Sequence, residues 1–359
     1  MAAGTRIRFC PSVEPFLSVA GDLYLLPTPG EPQKRIPAPF GEFVYRTVLA
    51  IEAGTAADVV SAIPDAGADE QILVQEIIDG LVEFALVRSY REAAASDQFD
   101  RQSRYFTQTG RSGTGAQHKL TTTRALVVGL GGLGCAVAEA LARVGVGAIH
   151  GVDFDTVQLE NLPRQTLYTP ADVGHTKTDV AELALRRIAP ASEVSTTTTQ
   201  VCSVEQLVEL ATEHRSTVIF ASADAPRFSI KGWLDTAAFQ LGIPVLMGGH
   251  RPPMLYVGPM IVPGETMCFG CFAAKDHELV KEMDRHLDAT SFVVPGLGYA
   301  DQLVGNFLVS EYVGWATGTH QPSIMGREYG FNLHDFSPMW IEPARGGCDR
   351  CNVEGRAAA

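Results

Sequence analysis

Apolar and polar positions alternate in two different ways along the chain. Up to about residue 90, short apolar runs accompany segments with apolar residues at helical spacing, such as Phe40 to Ile51. From about residue 124 onward, short continuous apolar runs alternate regularly with amphipathic segments. This second pattern is typical of a parallel sheet with helices on both faces.

The N-terminal pattern predicts a small winged-helix-like α+β domain. Leu17 to Leu26 predicts two short strands around a Gly-Asp turn. Helices are predicted over 40–51, over 56–63 with Thr55 as N-cap, and from Asp69 to about Gly80, followed by a strand over 81–87. The sequence of this domain does not by itself assign a use to it.

The C-terminal pattern predicts an α/β fold, namely a Rossmann-like, doubly wound and mainly parallel sheet. Strands are predicted over 125–128, 148–152, near 195, 217–220 and 244–247, and helices over 135–144, 177–188, 204–212 and 227–240. The predicted domains are therefore 1–92, a linker over 93–123 that is rich in Ala, Ser, Gly and Thr, and 124–359.

A glycine-rich turn, Gly129-Leu130-Gly131-Gly132-Leu133-Gly134, joins the first strand to the first helix of the large domain. A strand, a G-x-G-x-x-G turn and a helix in this order predict a phosphate-binding loop with Gly129, Gly131 and Gly132 beside the ligand. Asp153 follows 19 residues after Gly134, at the end of the second strand, where an acid can hold a ribose hydroxyl. The loop alone does not distinguish a dinucleotide from ATP.

The residues that follow favour ATP. Asn161, Arg164 and Gln165 supply a permanent cation and two neutral side chains suited to phosphate oxygens. Lys177 begins the next predicted helix, and Asp224 follows a strand at the carboxyl edge of the sheet, where a carboxylate can hold Mg²⁺.

Single residues of this series also have ordinary structural explanations. Asp155 suits a loop carboxylate, Lys177 a solvated helix start and Arg164 a surface ion pair. Their order along one chain, rather than any member, indicates a polyphosphate site.

Two C-x-x-C pairs form a second constellation, with Cys268 and Cys271 in one and Cys348 and Cys351 in the other. Four thiolates on two knuckles suit tetrahedral Zn²⁺, and a closed site of this kind is structural. The metal is then expected to clip the C-terminal segment to the domain.

The bulk composition limits the choice of partners. The net charge is −13, which argues against nucleic acid and anionic membranes as partners. No apolar run has the length of a membrane span, and the first residues lack the apolar core of a signal peptide. A cytoplasmic protein is the expectation.

Taken together, the motifs resemble the adenylation domain of the ubiquitin-activating superfamily, which includes the molybdopterin-synthase and thiamine-biosynthesis adenylyltransferases. They are Gly-Leu-Gly-Gly-Leu-Gly-Cys, Val-Asp-Phe-Asp-Thr-Val, Asn-Leu-Pro-Arg-Gln, Gly-His-Thr-Lys and Ala-Asp, and the resemblance covers about Phe99 to Cys351. It implies ATP, Mg²⁺, attack of a peptide carboxylate on the α-phosphate, and release of pyrophosphate.

The resemblance also implies roles for individual residues. They are ribose binding for Asp153, phosphate binding for Asn161, Arg164, Gln165 and Lys177, and magnesium binding for Asp224. Gln98 to Gln102 matches the superfamily's Arg-Tyr-x-Arg-Gln element, with Phe99 in place of tyrosine and Gln98 in place of the first arginine. By this match Arg101 is an arginine finger that reaches the ATP of a partner subunit, which implies a homodimer.

The segment from Gly248 to Cys268 resembles the peptide-adenylating enzymes of microcin C type, which carry an N-terminal leader-recognition unit. The implied function is adenylation of the C-terminal or side-chain carboxyl of a ribosomally synthesised precursor peptide. Two alternatives stay open: a leader-binding scaffold for a cyclodehydratase, and activation of a ubiquitin-like sulfur carrier. The fate of the acyl-adenylate and the roles of His250 and Arg251 are also open.

Overall fold

The computed structural model describes residues 6–10, 13–26, 33–83, 86–90, 98–109, 111–227, 229–273, 296–343, 348, 350 and 351. The chain divides into two compact units, 1–113 and 114–359. We describe each unit separately, and the domain boundaries expected from the sequence stay a prediction.

The N-terminal unit combines two small antiparallel sheets with helices. Its strands are β1 (Arg6–Phe9), β2 (Glu14–Leu17), β3 (Leu23–Leu26), β4 (Lys34–Ile36) and β5 (Val87–Tyr90), and its helices are α1 (Phe40–Ala53), α2 (Val59–Ala62), α3 (Ala68–Glu83) and α4 (Asp100–Gln108). β1 pairs with β5, while β2, β3 and β4 form a meander with β3 in the centre. The predicted hairpin and the small α+β unit are confirmed.

Burial follows the pattern of the sequence in this unit. Leu23 and Leu25 of β3 are fully buried, and they share a core with Val44 and Val48 of α1. Burying a side chain of this size contributes about 1.5–3 kcal/mol. Gly54 ends α1 in the left-handed conformation, with φ of 72°.

Two local predictions in this region are wrong. The second helix begins at Val59 because Asp58, not Thr55, is its N-cap and accepts a hydrogen bond from the Ser61 backbone N–H. Residues 81–83 continue α3 and the strand begins at Val87, while residues 84 and 85 lie outside the described residues. The segment expected to be a linker, 93–123, includes α4 and α5 (Gly113–Thr121), and its role as a linker stays a prediction. Residues 93–97 and 110 of this segment lie outside the described part.

The C-terminal unit is built on an eight-stranded sheet in the order β13-β12-β11-β10-β9-β6-β7-β8. Its strands are β6 (Arg124–Val128), β7 (Ala148–Asp153), β8 (Glu193–Thr198), β9 (Val218–Ala221), β10 (Val245–Arg251), β11 (Met254–Ile261), β12 (Glu328–Asn332) and β13 (Pro338–Ile341). Five neighbouring strands of this sheet, β10, β9, β6, β7 and β8, run parallel to one another. The strands β11, β12 and β13 extend the sheet beyond β10, each antiparallel to its neighbour. The predicted Rossmann-like, mainly parallel fold is confirmed.

Helices cover this sheet in two apolar layers. They are α6 (Gly132–Val144), α7 (Lys177–Ile188), α8 (Val204–Glu213), α9 (Ile230–Leu241), α10 (Phe269–Ala273) and α11 (Gly298–Thr317). The sequence analysis did not predict α11, which packs closely on α6: a Cβ on Gly305 would lie 2.6 Å from the Cβ of Ala136. No described helix is long and apolar enough to cross a membrane.

The course of the chain creates a topological switch point. The chain passes from β6 to β7 and β8 on one side, then returns to place β9 on the other side of β6. In open α/β sheets, ligands bind in the crevice beyond the carboxyl ends of such strands.

One buried histidine, His150, belongs to β7 and contacts side chains of β8. The Nδ1 atom of His150 is 2.8 Å from the Ser195 hydroxyl, and its Nε2 atom is 3.1 Å from the Thr197 hydroxyl. Its ring stacks on His214 with the centroids 3.3 Å apart. Burial and the neighbouring His214 lower the pKa of His150 from 6.5 to about 4.

We predict that His150 makes the protein less stable as the pH falls from 6.5 towards 4. In that range the unfolded chain binds a proton that the folded chain excludes, so stability rises with pH. His150→Gln should therefore lose less thermal stability than wild type between pH 7 and pH 5, measured by calorimetry. The same substitution at the exposed His334 is the control, and equal pH slopes in all three proteins would contradict the prediction.

Candidate functional site

The loops after β6 and β9 meet at the switch point with only backbone between them. Gly129 has φ of 93°, and a Cβ on it would lie 2.6 Å from the Ala223 nitrogen. A Cβ on Gly134 would collide with the Gly129 carbonyl oxygen. Glycine is therefore required at both positions, for a left-handed turn and for close packing.

Asp153 braces this loop from the end of β7. One carboxylate oxygen accepts a hydrogen bond of 2.6 Å from the Leu130 backbone N–H, and the other accepts one of 2.9 Å from that of Asp155. The side chain is buried. The acid that the sequence places beside a ribose thus also orders the glycine loop.

Lys177 is a buried cation rather than a solvated helix start. It is only 5% exposed, and its Nζ lies 2.7 Å from the carboxylate of Asp155, whose side chain is 48% exposed. Thr176 caps the helix that Lys177 begins. A more highly charged anion could therefore replace Asp155 as the partner of Lys177.

The predicted phosphate-binding residues between 161 and 165 share a single turn. The backbone N–H groups of Arg164 and Gln165 both donate to the Asn161 carbonyl, and the Asn161 side chain accepts from the Gln158 N–H. Gln165 is buried with its amide 4.0 Å from the Cβ position of Gly131. Arg164 is half-buried, and no ion pair joins it to another described residue.

Three buried polar atoms around the glycine loop lack a hydrogen-bond partner within the described part of the chain. They are the Gln165 Oε1, Ser222 Oγ and Asp301 Oδ2 atoms. Ser222 lies 3.5 Å from the Cβ position of Gly134, and a Cβ on Gly132 would collide with the Asp301 carboxylate. Because each such atom costs about 1–3 kcal/mol, their convergence fits a crevice that receives a polar ligand.

Sequence reasoning missed Ser222 and Asp301. Asp301 lies in the first turn of the unpredicted α11, 3.2 Å from the Nδ1 atom of His250. The sequence signal that could have identified Asp301 was an acid near the start of a long segment rich in apolar residues. Arg251, the other residue whose role was open, is exposed at the end of β10.

Two predicted site residues are exposed in the structure. Asp224 follows Ser222 in the loop after β9, at the carboxyl edge of the sheet, as its proposed magnesium role requires. Arg101 lies on α4, in the N-terminal unit. The roles assigned to them stay predictions.

The four cysteines of the C-x-x-C pairs come together as one cluster. Their sulfur atoms all lie within 4.8 Å of one another. The separations are 3.7 Å for Cys268 and Cys348, 3.9 Å for Cys271 and Cys351, and 3.8 Å for Cys348 and Cys351. Four sulfurs at about 2.3 Å from a tetrahedral Zn²⁺ would be roughly 3.8 Å apart, so the cluster fits zinc.

Asp235 of α9 joins the two cysteine knuckles. One carboxylate oxygen accepts a hydrogen bond of 3.0 Å from the Phe269 backbone N–H in the first knuckle. The other is paired with the guanidinium of Arg350 in the second knuckle. Hydrogen bonds from the Cys351 and Arg350 backbone lower the pKa of Cys348 to about 6, which favours its thiolate form, while burial raises the pKa of Cys268 and Cys271.

Comparison with known proteins relates the chain to adenylyltransferases of the ThiF family. A model of the ThiF family matches residues 99–351. The molybdopterin-synthase adenylyltransferase of Escherichia coli (strain K12) is 38% identical over 132 residues, which are 37% of this chain and 51% of that protein. The sulfur carrier protein ThiS adenylyltransferase of Bacillus subtilis is 36% identical over 166 residues, 44% of this chain and 46% of that protein. The chain thus spans about half the length of the curated relatives it matches.

Solved structures extend the likeness to almost the whole fold. A crystal structure of E. coli MccB with AMPCPP and MccA superposes with a TM-score of 0.73 at 18% identity, covering 97% of this chain and 99% of that one. A crystal structure of PaaA gives a TM-score of 0.72 at 21% identity, covering 92% and 98%. At these identities the likeness concerns the fold.

We predict that freshly purified protein contains about one equivalent of zinc. Four thiolates at tetrahedral spacing leave no open position. Metal analysis should find the zinc, and the Cys268→Ser and Cys351→Ser variants should lose most of it. Retention of a full equivalent by both variants would contradict a four-cysteine site.

We also predict that Asp235→Asn weakens metal retention without removing a ligand, because the amide cannot balance the Arg350 charge. Zinc transfer to a chromogenic chelator should be at least about threefold faster than in wild type. Asp335→Asn, which changes an exposed acid of the same unit, should transfer zinc at the wild-type rate. Equal rates for Asp235→Asn and wild type would show that the bridge does not hold the knuckles.

Proposed function

The chain belongs to the ThiF family, and we propose that it uses ATP to adenylate the C-terminal or side-chain carboxyl of a ribosomally synthesised precursor peptide. The observation that carries the proposal is the set of unpartnered polar atoms around the glycine loop, in a unit that also holds the buried Lys177. Such a crevice suits an anionic ligand with many hydrogen-bonding atoms.

In this proposal each part of ATP is bound by a different group of residues. Asp153 and the glycine loop with Gly129, Gly131 and Gly132 hold the nucleoside side, with Asp155 next to the loop. Asn161, Arg164, Gln165 and Lys177 hold the phosphates, and Asp224 holds Mg²⁺, which neutralises phosphate charge when bound. Lys177 would exchange Asp155 for a phosphate oxygen, since it is buried and Asp155 is half-exposed.

The reaction is a displacement at phosphorus. A carboxylate oxygen of the peptide forms a bond to the α-phosphorus, and the bond from that phosphorus to the bridging oxygen breaks. Pyrophosphate leaves with the bonding electrons, so no proton transfer is needed in this step. Arg164 and Lys177 stabilise the charge that builds up on the phosphate oxygens. Arg101 of a second subunit supplies a further cation in the proposed homodimer.

The N-terminal unit is proposed to select the peptide by binding its leader. β2 and β4 are the edges of the described three-stranded sheet, so either offers main-chain groups to an added strand. β2 also presents Phe16, which is 57% exposed and apolar. The likeness to E. coli MccB, solved together with MccA, supports a peptide partner.

Activation of a sulfur carrier is the second candidate. It is favoured by the curated relatives, one of which is named for the carrier ThiS. The α+β unit ahead of the matched family region favours the peptide instead, because 97% of this chain, including that unit, superposes on MccB. A scaffold without chemistry has no need for a buried Lys177 or for the orphaned atoms.

We predict that Arg164→Ala and Asp224→Ala each lower peptide-dependent ATP–pyrophosphate exchange at least ~100-fold, through loss of transition-state charge stabilisation. The peptides to be tested are those encoded by any short open reading frames beside the gene. Arg143→Ala and Asp335→Ala, at exposed positions, are the matched controls and should keep wild-type exchange. Wild-type-like exchange in Arg164→Ala or Asp224→Ala, with the fold intact by circular dichroism, would refute these assignments.

A further prediction concerns leader binding. A charge introduced by Phe16→Asp should weaken binding of the fluorescently labelled peptide about tenfold, because it disrupts apolar contact along β2. Val60→Asp, at an equally exposed apolar residue of α2, should leave binding unchanged. ATP binding should be unchanged in both variants. If both variants bind the peptide as wild type does, β2 is not the docking edge.

A further inference from the structure

His250 and Asp301 form a buried pair beside the glycine loop that the proposed roles do not use. The Nδ1 atom of His250 lies 3.2 Å from one oxygen of Asp301, and the two side chains are 13% and 5% exposed. Asp301 comes from the first turn of α11, and His250 from the carboxyl end of β10. Two elements distant in sequence thus deliver a titratable pair to the ligand crevice.

Asp301 occupies the space above Gly132. A Cβ on Gly132 would overlap the Asp301 carboxylate, so this glycine is required by a side chain of the protein itself. The carboxylate lies at the N-terminus of α6, where a helix dipole stabilises negative charge. A phosphate therefore cannot lie directly over Gly132 while Asp301 is there. An oxyanion in the crevice would have to be bound by side chains beside the glycine loop instead.

His250 and Arg164 both lie beside Gly296. A Cβ placed on Gly296 would lie 3.2 Å from the Nε2 atom of His250 and 3.5 Å from the Cδ atom of Arg164. Gly298 packs against the same segment, with its Cβ position 3.2 Å from the Cα of Arg164. The imidazole and the guanidinium stem therefore border one small space beside the glycine loop.

Asp301 contacts the Nδ1 atom of His250, and the Nε2 atom of the same ring lies 3.2 Å from the Cβ position of Gly296. The Cδ atom of Arg164 lies 3.5 Å from that position. An oxyanion beside Gly296 would therefore be within reach of both basic side chains.

We propose that Asp301 positions His250 as an imidazolium whose Nε2–H binds an oxyanion of the reacting groups together with Arg164. The oxyanion is either a phosphate oxygen of the nucleotide or the carboxylate of the peptide. The inference rests on the proposed function and deepens it. His250 is a ligand-binding residue in this proposal, and Asp301 is a positioning residue.

The test compares His250→Gln, His250→Lys and Asp301→Asn with wild type. Calorimetry measures binding of magnesium pyrophosphate and of AMP, and exchange kinetics give the KM for the peptide. His250→Gln and Asp301→Asn should weaken pyrophosphate binding, or raise the peptide KM, about tenfold, while AMP affinity changes less than twofold. Weaker pyrophosphate binding would identify the oxyanion as a phosphate oxygen of the nucleotide. A higher KM for the peptide would identify it as the peptide carboxylate.

His250→Lys separates charge from packing. Lysine keeps a cation at this position but not the ring, so His250→Lys should retain more oxyanion affinity than His250→Gln. A purely structural role for His250 would not produce this difference. His320→Gln is the control, because His320 also faces a carboxylate of α11, 3.9 Å away on Glu311. If Asp301→Asn does not fold, the two His250 variants decide the question.

The outcomes for the two proposals are distinct. Wild-type affinity and kinetics in both His250→Gln and Asp301→Asn, or equal losses in His250→Gln and His250→Lys, would overturn the inference alone. A wild-type protein that binds neither ATP nor pyrophosphate would overturn the proposed function and the inference with it.

Discussion

The site depends on a contact between two stretches of backbone. The turn after β6 and the loop after β9 touch through Gly129 and Ala223, and Gly134 closes the same turn on itself. A side chain at Gly129 would force the two loops apart, and one at Gly134 would collide with the Gly129 carbonyl oxygen within the turn. Asp153 and Ser222, which approach the crevice from opposite sides, keep their places only because nothing separates those loops.

How much of this site the sequence reveals depends on how local each feature is. The glycine turn, Asp153 and the turn from Asn161 to Gln165 are short-range, so strand, turn and helix signals suffice to predict them. Asp301 depends on α11, whose apolar residues are spread around the helix rather than along one face, and which packs against α6. Thr55 is a residue type that can cap a helix, but Asp58, which is a better type, accepts hydrogen bonds from the Ser61 backbone N–H and hydroxyl and begins the helix instead.

Charges in the crevice are mostly paired within the protein. Lys177 contacts Asp155 and His250 contacts Asp301, while Arg164 has no carboxylate partner among the described residues. A polyphosphate entering such a site would exchange these ion pairs for new ones, whereas Arg164 would gain an anionic partner without giving up a described one. The free energy of binding is then the difference between the ion pairs formed with the ligand and those broken within the protein. A highly charged ligand is favoured over a singly charged one because it forms more of these pairs.

The Asp235 bridge has a consequence for the order in which the C-terminal segment assembles. Cys268 and Cys348 are 80 positions apart, and a metal that had to gather both knuckles from an open chain would bear the whole entropy of closing that loop. Asp235 contacts both knuckles through its own carboxylate, so protein contacts close the loop independently of the ion. The tail is therefore held to α9 by protein contacts as well as by any metal that the four cysteines bind.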